Sequence, residues 1–105
     1  MAEQRIQMVR GDTLSFAVEF VGLTQNLVSA YFTVRAAHDS EVLVQKSLSD
    51  GITKISTGKY RVRVAPADTA SLTPGGYVYD FQVGIGSDIY TPLYGYLVLI
   101  DDVTR

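Results

Sequence analysis

Residues 65–80 read Ala65-Pro66-Ala67-Asp68-Thr69-Ala70-Ser71-Leu72-Thr73-Pro74-Gly75-Gly76-Tyr77-Val78-Tyr79-Asp80. Pro66 has no N–H to give a sheet ladder, so it ends the strand before it. Ala67 to Leu72 contains good helix formers, and Asp68 near their start can accept from free backbone N–H groups, so one helical turn is expected. Thr73-Pro74-Gly75-Gly76 then reverses the chain into a strand that begins at Tyr77.

On both sides of this segment apolar residues recur with a period of two, the pleat of a strand. Leu14, Phe16, Val18 and Phe20 alternate with polar or small residues, as do Ala30, Phe32, Val34 and Ala36. Tyr60, Val62 and Val64 follow the same pattern, and so do Tyr77, Tyr79, Phe81 and Val83. The alternation predicts seven main strands at Gln4–Arg10, Thr13–Val21, Val28–His38, Glu41–Leu48, Gly58–Ala65, Gly75–Gly84 and Ile89–Asp101. Ile52–Ser56 has the make-up of a further short edge strand. Turn chemistry separates them: Gly11-Asp12, Gly22 to Asn26, His38-Asp39-Ser40, Ser49-Asp50-Gly51, Thr57-Gly58 and Gly84 to Asp88.

Short, evenly spaced strands without helical periodicity indicate an all-β protein, an antiparallel sandwich of about seven strands with one short helical turn. Immunoglobulin-like sandwiches place a short turn between their fifth and sixth strands. A Tyr early in the sixth strand then hydrogen-bonds back to backbone a few residues upstream. Tyr77 stands in that position, with Asp68 in the turn before it. Tyr79 occupies the slot where antibody domains carry their second Cys, and is read as an aromatic core filler. Asp68, Tyr77 and Tyr79 are thus the expected structural corner.

The chain has 105 residues, of which 47% are apolar and 19% charged, so it can build one real core, and residues 1–105 are expected to form one domain. A net charge of −2 and the lack of a basic stripe argue against nucleic-acid binding. Cysteine is absent, which removes disulfides, thiolate metal sites and a Cys nucleophile; this fits assembly in a reducing cytoplasm and is also compatible with secretion. Met1 to Arg10 contains no apolar h-region, and no run is long enough to span a bilayer, so no membrane role is expected.

Chemical sites are not found. Arg10-Gly11-Asp12 spells an adhesion tripeptide, but it lies between two close strands, where turn chemistry accounts for it. His38, the only histidine, shares a turn with Asp39 and Ser40. Adjacent turn residues point different ways, so a nucleophile–base triad is not formed. Asp101-Asp102 with a loop Asp is a weak candidate for a surface calcium ion. Gly84-Ile85-Gly86 follows a strand but leads back to a strand, so the nucleotide-binding context fails. Asp80 is expected to face away from Tyr79 and Phe81 and to pair with Arg61 or Arg63 across strands. No catalytic residue, cofactor or metal is assigned.

The last strand carries apolar residues on both faces. Leu93, Gly95, Leu97 and Leu99 can face the core, while Tyr94, Tyr96, Val98 and Ile100 point the other way and are the candidate interface.

In chain order, Arg10-Gly11-Asp12-Thr13, Phe16 to Phe20, Ala30-Tyr31-Phe32-Thr33-Val34 and Pro66-Ala67-Asp68-Thr69 are followed by Gly76-Tyr77-Val78-Tyr79-Asp80, Tyr90-Thr91-Pro92, Gly95 and Asp101-Asp102-Val103-Thr104. This ordered set resembles the immunoglobulin-like N-terminal domain of phage baseplate upper proteins and related small domains of phage and prophage tails. It covers nearly the whole chain, which departs from that family by stopping where members continue into further domains. The resemblance implies a non-catalytic tail or baseplate module of the virion, assembled in the bacterial host cytoplasm. Its partners would be other phage tail or baseplate proteins, with a homo-oligomer also open. The alternative from the residues is a carbohydrate- or cell-surface-binding module using the rings of Tyr31, Tyr90, Tyr94 and Tyr96.

Overall fold

The computed structural model describes residues 2–103; Thr104, quoted in the resemblance above, lies outside the described residues. Among the described residues nine strands form, in chain order β1 (Ala2–Glu3), β2 (Ile6–Val9), β3 (Leu14–Glu19), β4 (Ser29–Arg35), β5 (Val42–Leu48), β6 (Gly51–Ser56), β7 (Lys59–Val64), β8 (Gly75–Ile85) and β9 (Asp88–Ile100), with the helical turn α1 (Pro66–Thr69) between β7 and β8. They make an immunoglobulin-like sandwich. The front layer runs β1/β2–β9–β8–β4–β5 and the back layer β6–β7–β3. On one side the layers join where β5 passes into β6, through Ser49 at φ 68° and Gly51 at φ 94°. On the other side β3 and β2 share no ladder among the described residues.

The strand expected at Gln4–Arg10 is two strands. Both pair in parallel with β9 in one continuous register, Glu3 opposite Tyr94 and Ile6 opposite Leu97. The ladder is interrupted at Gln4–Arg5, where the Gln4 carbonyl accepts the Tyr79 hydroxyl at 2.6 Å. Ile52–Ser56 lies within β6, so the strand count exceeds seven. Pro92 sits where the β8–β9 register slips between Phe81 and Val83, a place where a missing N–H is tolerated.

Phe32, Phe81, Ile52 and Val62 are fully buried at the centre of the core. Phe32 and Phe81 lie opposite each other on β4 and β8. The ring of Phe16 meets Phe32 edge-on at 5.6 Å, and the ring of Tyr79 lies 5.5 Å from Phe32. Phe16 is only half-buried, because β3 borders the open side of the sandwich.

At the corner, the Tyr77 hydroxyl donates to the Thr73 carbonyl. The Asp68 carboxylate accepts the Ala65 N–H at 2.7 Å and pairs with Lys46 Nζ at 2.9 Å, tying α1 to β5. Tyr79 fills the core position beside Phe32. Burial pushes its hydroxyl above the usual tyrosine range, which keeps it a donor to Gln4.

Candidate binding face

Strand β9 alternates in and out. Leu97 and Leu99 are buried, so Tyr94, Tyr96, Val98 and Ile100 face outward from the front layer. The ladder registers place these residues in rows. Tyr94 stands opposite Asp80, which stands opposite Thr33 and then Gln45. Tyr96 stands opposite Val78, which stands opposite Arg35. Tyr31 stands opposite Gln82, one row further on. Tyr96 is 58% exposed, and Tyr94, Tyr31 and Ile100 are each about two-fifths exposed. Among the described residues no loop buries Tyr31, Tyr94, Tyr96 or Ile100, and the outer face carries aromatic and branched side chains with polar groups set among them.

A shallow depression of about 330 Å³ lies in this face, lined by Glu3, Arg35, His38, Asp80, Tyr94 and Tyr96 among others. Asp80 is half-buried in it. Burial raises its carboxyl above the usual carboxylate value, while the charges of Arg35 and His38 pull it back down. Arg35 Nη1 donates to the Ser40 carbonyl at 2.6 Å, which holds the guanidinium against the β4–β5 turn that carries His38. Gln45 Nε2 donates to the Thr33 hydroxyl at 3.2 Å. The expected pairing of Asp80 with Arg61 or Arg63 is therefore wrong. Those arginines lie on β7, on the outer face of the back layer, and the neighbours of Asp80 come from β4 and the turn after it.

The remaining candidates are structural. Gly11 takes φ 83° and its N–H donates to the buried Thr69 hydroxyl at 2.9 Å, so Arg10-Gly11-Asp12 is a turn locked to α1. Arg10 reaches Asp102 at 2.8 Å and Asp101 at 3.3 Å. A guanidinium thus occupies the carboxylates that the sequence offers to calcium, and the Asp102 side chain is almost wholly buried beside it. Among the described residues, no group of three or more His, Cys, Asp or Glu is placed to hold a metal ion. The molecule is a small immunoglobulin-like domain without a catalytic metal or cofactor cluster among those residues. No helix among them is long and apolar enough to cross a membrane.

Of a second apolar group the sequence singles out only Tyr90. Val21, Val28, Ile89 and Tyr90 are exposed at the end of the sandwich where the β3–β4 loop meets the β8–β9 hairpin. Val21 and Val28 lie in a loop, which carries no periodicity, and Ile89 and Tyr90 stand at the start of β9, so only apolar content could have signalled the group as a whole.

No family model matches the chain, and no curated protein matches it. Solved structures do. The immunoglobulin heterodimer of ZIG-8 and RIG-5 matches at 11% identity and TM-score 0.47, over 94% of this chain and 83% of that one. The extracellular domain of the voltage-gated sodium channel beta4 subunit, described as a parallel homodimer with a role in cell–cell adhesion, matches at 14% identity and TM-score 0.49, over 96% of this chain and 93% of that one. The phage resemblance is corrected: no family model matches the chain, a baseplate family included, and neither of these two structures is described as a phage protein. With it go the tail and baseplate role, the phage partners and the virion location. The motifs that carried it are turn, corner and strand chemistry, which any sandwich of this topology needs.

Proposed function

We propose that this domain is a non-catalytic recognition module that holds a partner protein on the outer face of its front layer. The observation that carries the reading is the uncovered surface of Tyr31, Tyr94, Tyr96, Val98 and Ile100 surrounding Arg35 and the half-buried Asp80. Tyr and Arg are the residues enriched at the centre of protein interfaces, because they combine area with a polar tip or a planar fork of donors. A carboxylate whose burial disfavours its charge works against folding at neutral pH, and such groups gather at functional surfaces.

Tyr96→Lys is the test. The side chain is exposed and belongs to no core contact, so the unfolding free energy should change by less than about 0.5 kcal/mol. Cross-linking of the wild-type domain in its native source, followed by titration of the captured protein, should give saturable binding that Tyr96→Lys abolishes. Equal binding by the two proteins would remove the face from consideration.

A second reading rests on the depression itself. Two tyrosine rings beside Glu3, Arg35 and Asp80 offer a stacking surface next to hydrogen-bonding groups, the chemistry that sugar rings use. Saturable binding on a glycan array, lost in Tyr94→Ala, would favour it over a protein partner.

A further inference from the structure

Open sheet edges template the addition of another strand, and folded proteins normally guard them with bulges, charges or covering segments. In this molecule β9 is covered by β1 and β2. Strand β5 carries the inward-reaching Lys46 and faces a slip in register between Val34 and Arg35. Strand β6 has a slip between Lys54 and Ser56. Strand β3 has no bulge and no covering strand: its six residues, Leu14–Glu19, pair with β7 without irregularity, contain no Pro and no Lys, and carry a single charge, Glu19, at one end.

The phase of the free edge follows from one bond. The Phe20 N–H donates to the Gly58 carbonyl at 2.7 Å, continuing the β3–β7 ladder by one pair. Residues in an antiparallel pair alternate between exchanging bonds and facing away. Leu14, Phe16 and Val18 therefore bond β7, and the N–H and C=O groups of Ser15, Ala17 and Glu19 point outward. Beneath this edge the sandwich is open: a hollow of about 490 Å³, lined by Ile6, Leu14, Phe16, Val18, Pro92 and Leu93 among others, leaves Phe16 and Val18 only half-buried.

We infer that β3 is a dimerisation edge whose occupant is β3 of a second copy, running antiparallel about a two-fold axis at Ala17. This phase places Ala17 opposite the partner's Ala17, and Ser15 opposite the partner's Glu19, all as hydrogen-bonded pairs. Phe16 and Val18 then meet the partner's Val18 and Phe16 across the hollow and lose their remaining exposure.

Charge selects this occupant. Arg63 lies opposite Ser15 on the outer face, and Arg61 opposite Ala17. No carboxylate forms an ion pair with either arginine among the described residues. The partner's Glu19 arrives two strand spacings from Arg63, about 10 Å between Cα atoms. Only the small Ser15 side chain stands between, so an arginine and a glutamate reach each other over it. The two Arg61 side chains start three spacings apart, about 14 Å, beyond the screening length at physiological salt of about 8 Å.

Sedimentation and light scattering from micromolar to millimolar concentration test the inference. The wild type should pass from the mass of one chain to that of two and stop there, since a two-fold contact closes. Ala17→Pro removes an N–H that β7 does not use, so it should keep the wild-type melting temperature and stay at one chain. Glu19→Arg should weaken the dimer about tenfold or more, and Glu19→Arg with Arg63→Glu should restore it to within about threefold. A wild type that keeps the mass of one chain, a dimer retained in a folded Ala17→Pro, growth beyond two chains, or failure of the charge exchange overturns the inference. None of these outcomes depends on Tyr96, so the two surfaces are tested separately.

Discussion

Phe32→Ala is expected to lower the unfolding free energy by about 3–5 kcal/mol, the range for emptying a buried aromatic site. Phe32 has no solvent exposure, lies opposite the equally buried Phe81, and touches Phe16 and Tyr79 at ring distances of 5.6 and 5.5 Å. Those neighbours belong to β8 and β3, one strand from each layer, so no single element can move in to close the cavity. A domain of this size has about 5–15 kcal/mol of stability in total, and the variant should sit at the edge of folding. Tyr31, the adjacent residue, faces outward, and Tyr31→Ala should change stability by less than about 1 kcal/mol. Urea denaturation of the pair measures both. If the two variants fall within experimental error of each other, the assignment of the inward face of β4 is wrong.

The second large effect is expected at Gly95. A Cβ there would sit 2.4 Å from the Gln4 carbonyl oxygen and 3.0 Å from its carbon, and backbone cannot rotate aside as a side chain can. Gly95 also takes φ 150°, which side-chain-bearing residues rarely adopt. Gly95→Ala must therefore push Gln4 off β9. That breaks both the Tyr79 hydroxyl bond to Gln4 and the bond from the Gln4 N–H to the Tyr94 carbonyl. Overpacking and backbone strain together should cost about 2–3 kcal/mol. Amide hydrogen exchange should show the loss first at Gln4 and across Ile6–Val9, with β4 and β8 still protected. Uniform loss over all strands would mean that the N-terminal segment is not a separate lid on β9.

Much of this was legible because alternation assigns each side chain to a face. Phe32 and Phe81 fell inward, and Tyr94 and Tyr96 outward, from the period-two pattern alone. What the pattern lacks is information about neighbours. Asp80 was assigned arginines from β7 because the sequence does not tell which strand lies beside β8. Its companions, Arg35 and His38, come from β4 and its turn, next to β8 only once the sandwich order is known. The same blindness hid the open edge of β3: Ser15, Ala17 and Glu19 look like any outward face until the strand that would flank them is found pairing with β9. The split of the N-terminal strand was hidden for a related reason, since it depends on the Tyr79 hydroxyl arriving from 75 residues away.

The chain has seven tyrosines, and their division between core and surface states the whole account. Tyr60, Tyr77 and Tyr79 are buried, whereas Tyr31, Tyr90, Tyr94 and Tyr96 are exposed. Nitration of the native protein with tetranitromethane, followed by peptide mass mapping, should modify the second group and spare the first until denaturant is added. Nitration of Tyr77 or Tyr79 in the native state as fast as Tyr96, or protection of Tyr94 and Tyr96 in a chain shown to be monomeric, would contradict the sandwich and its proposed binding face together.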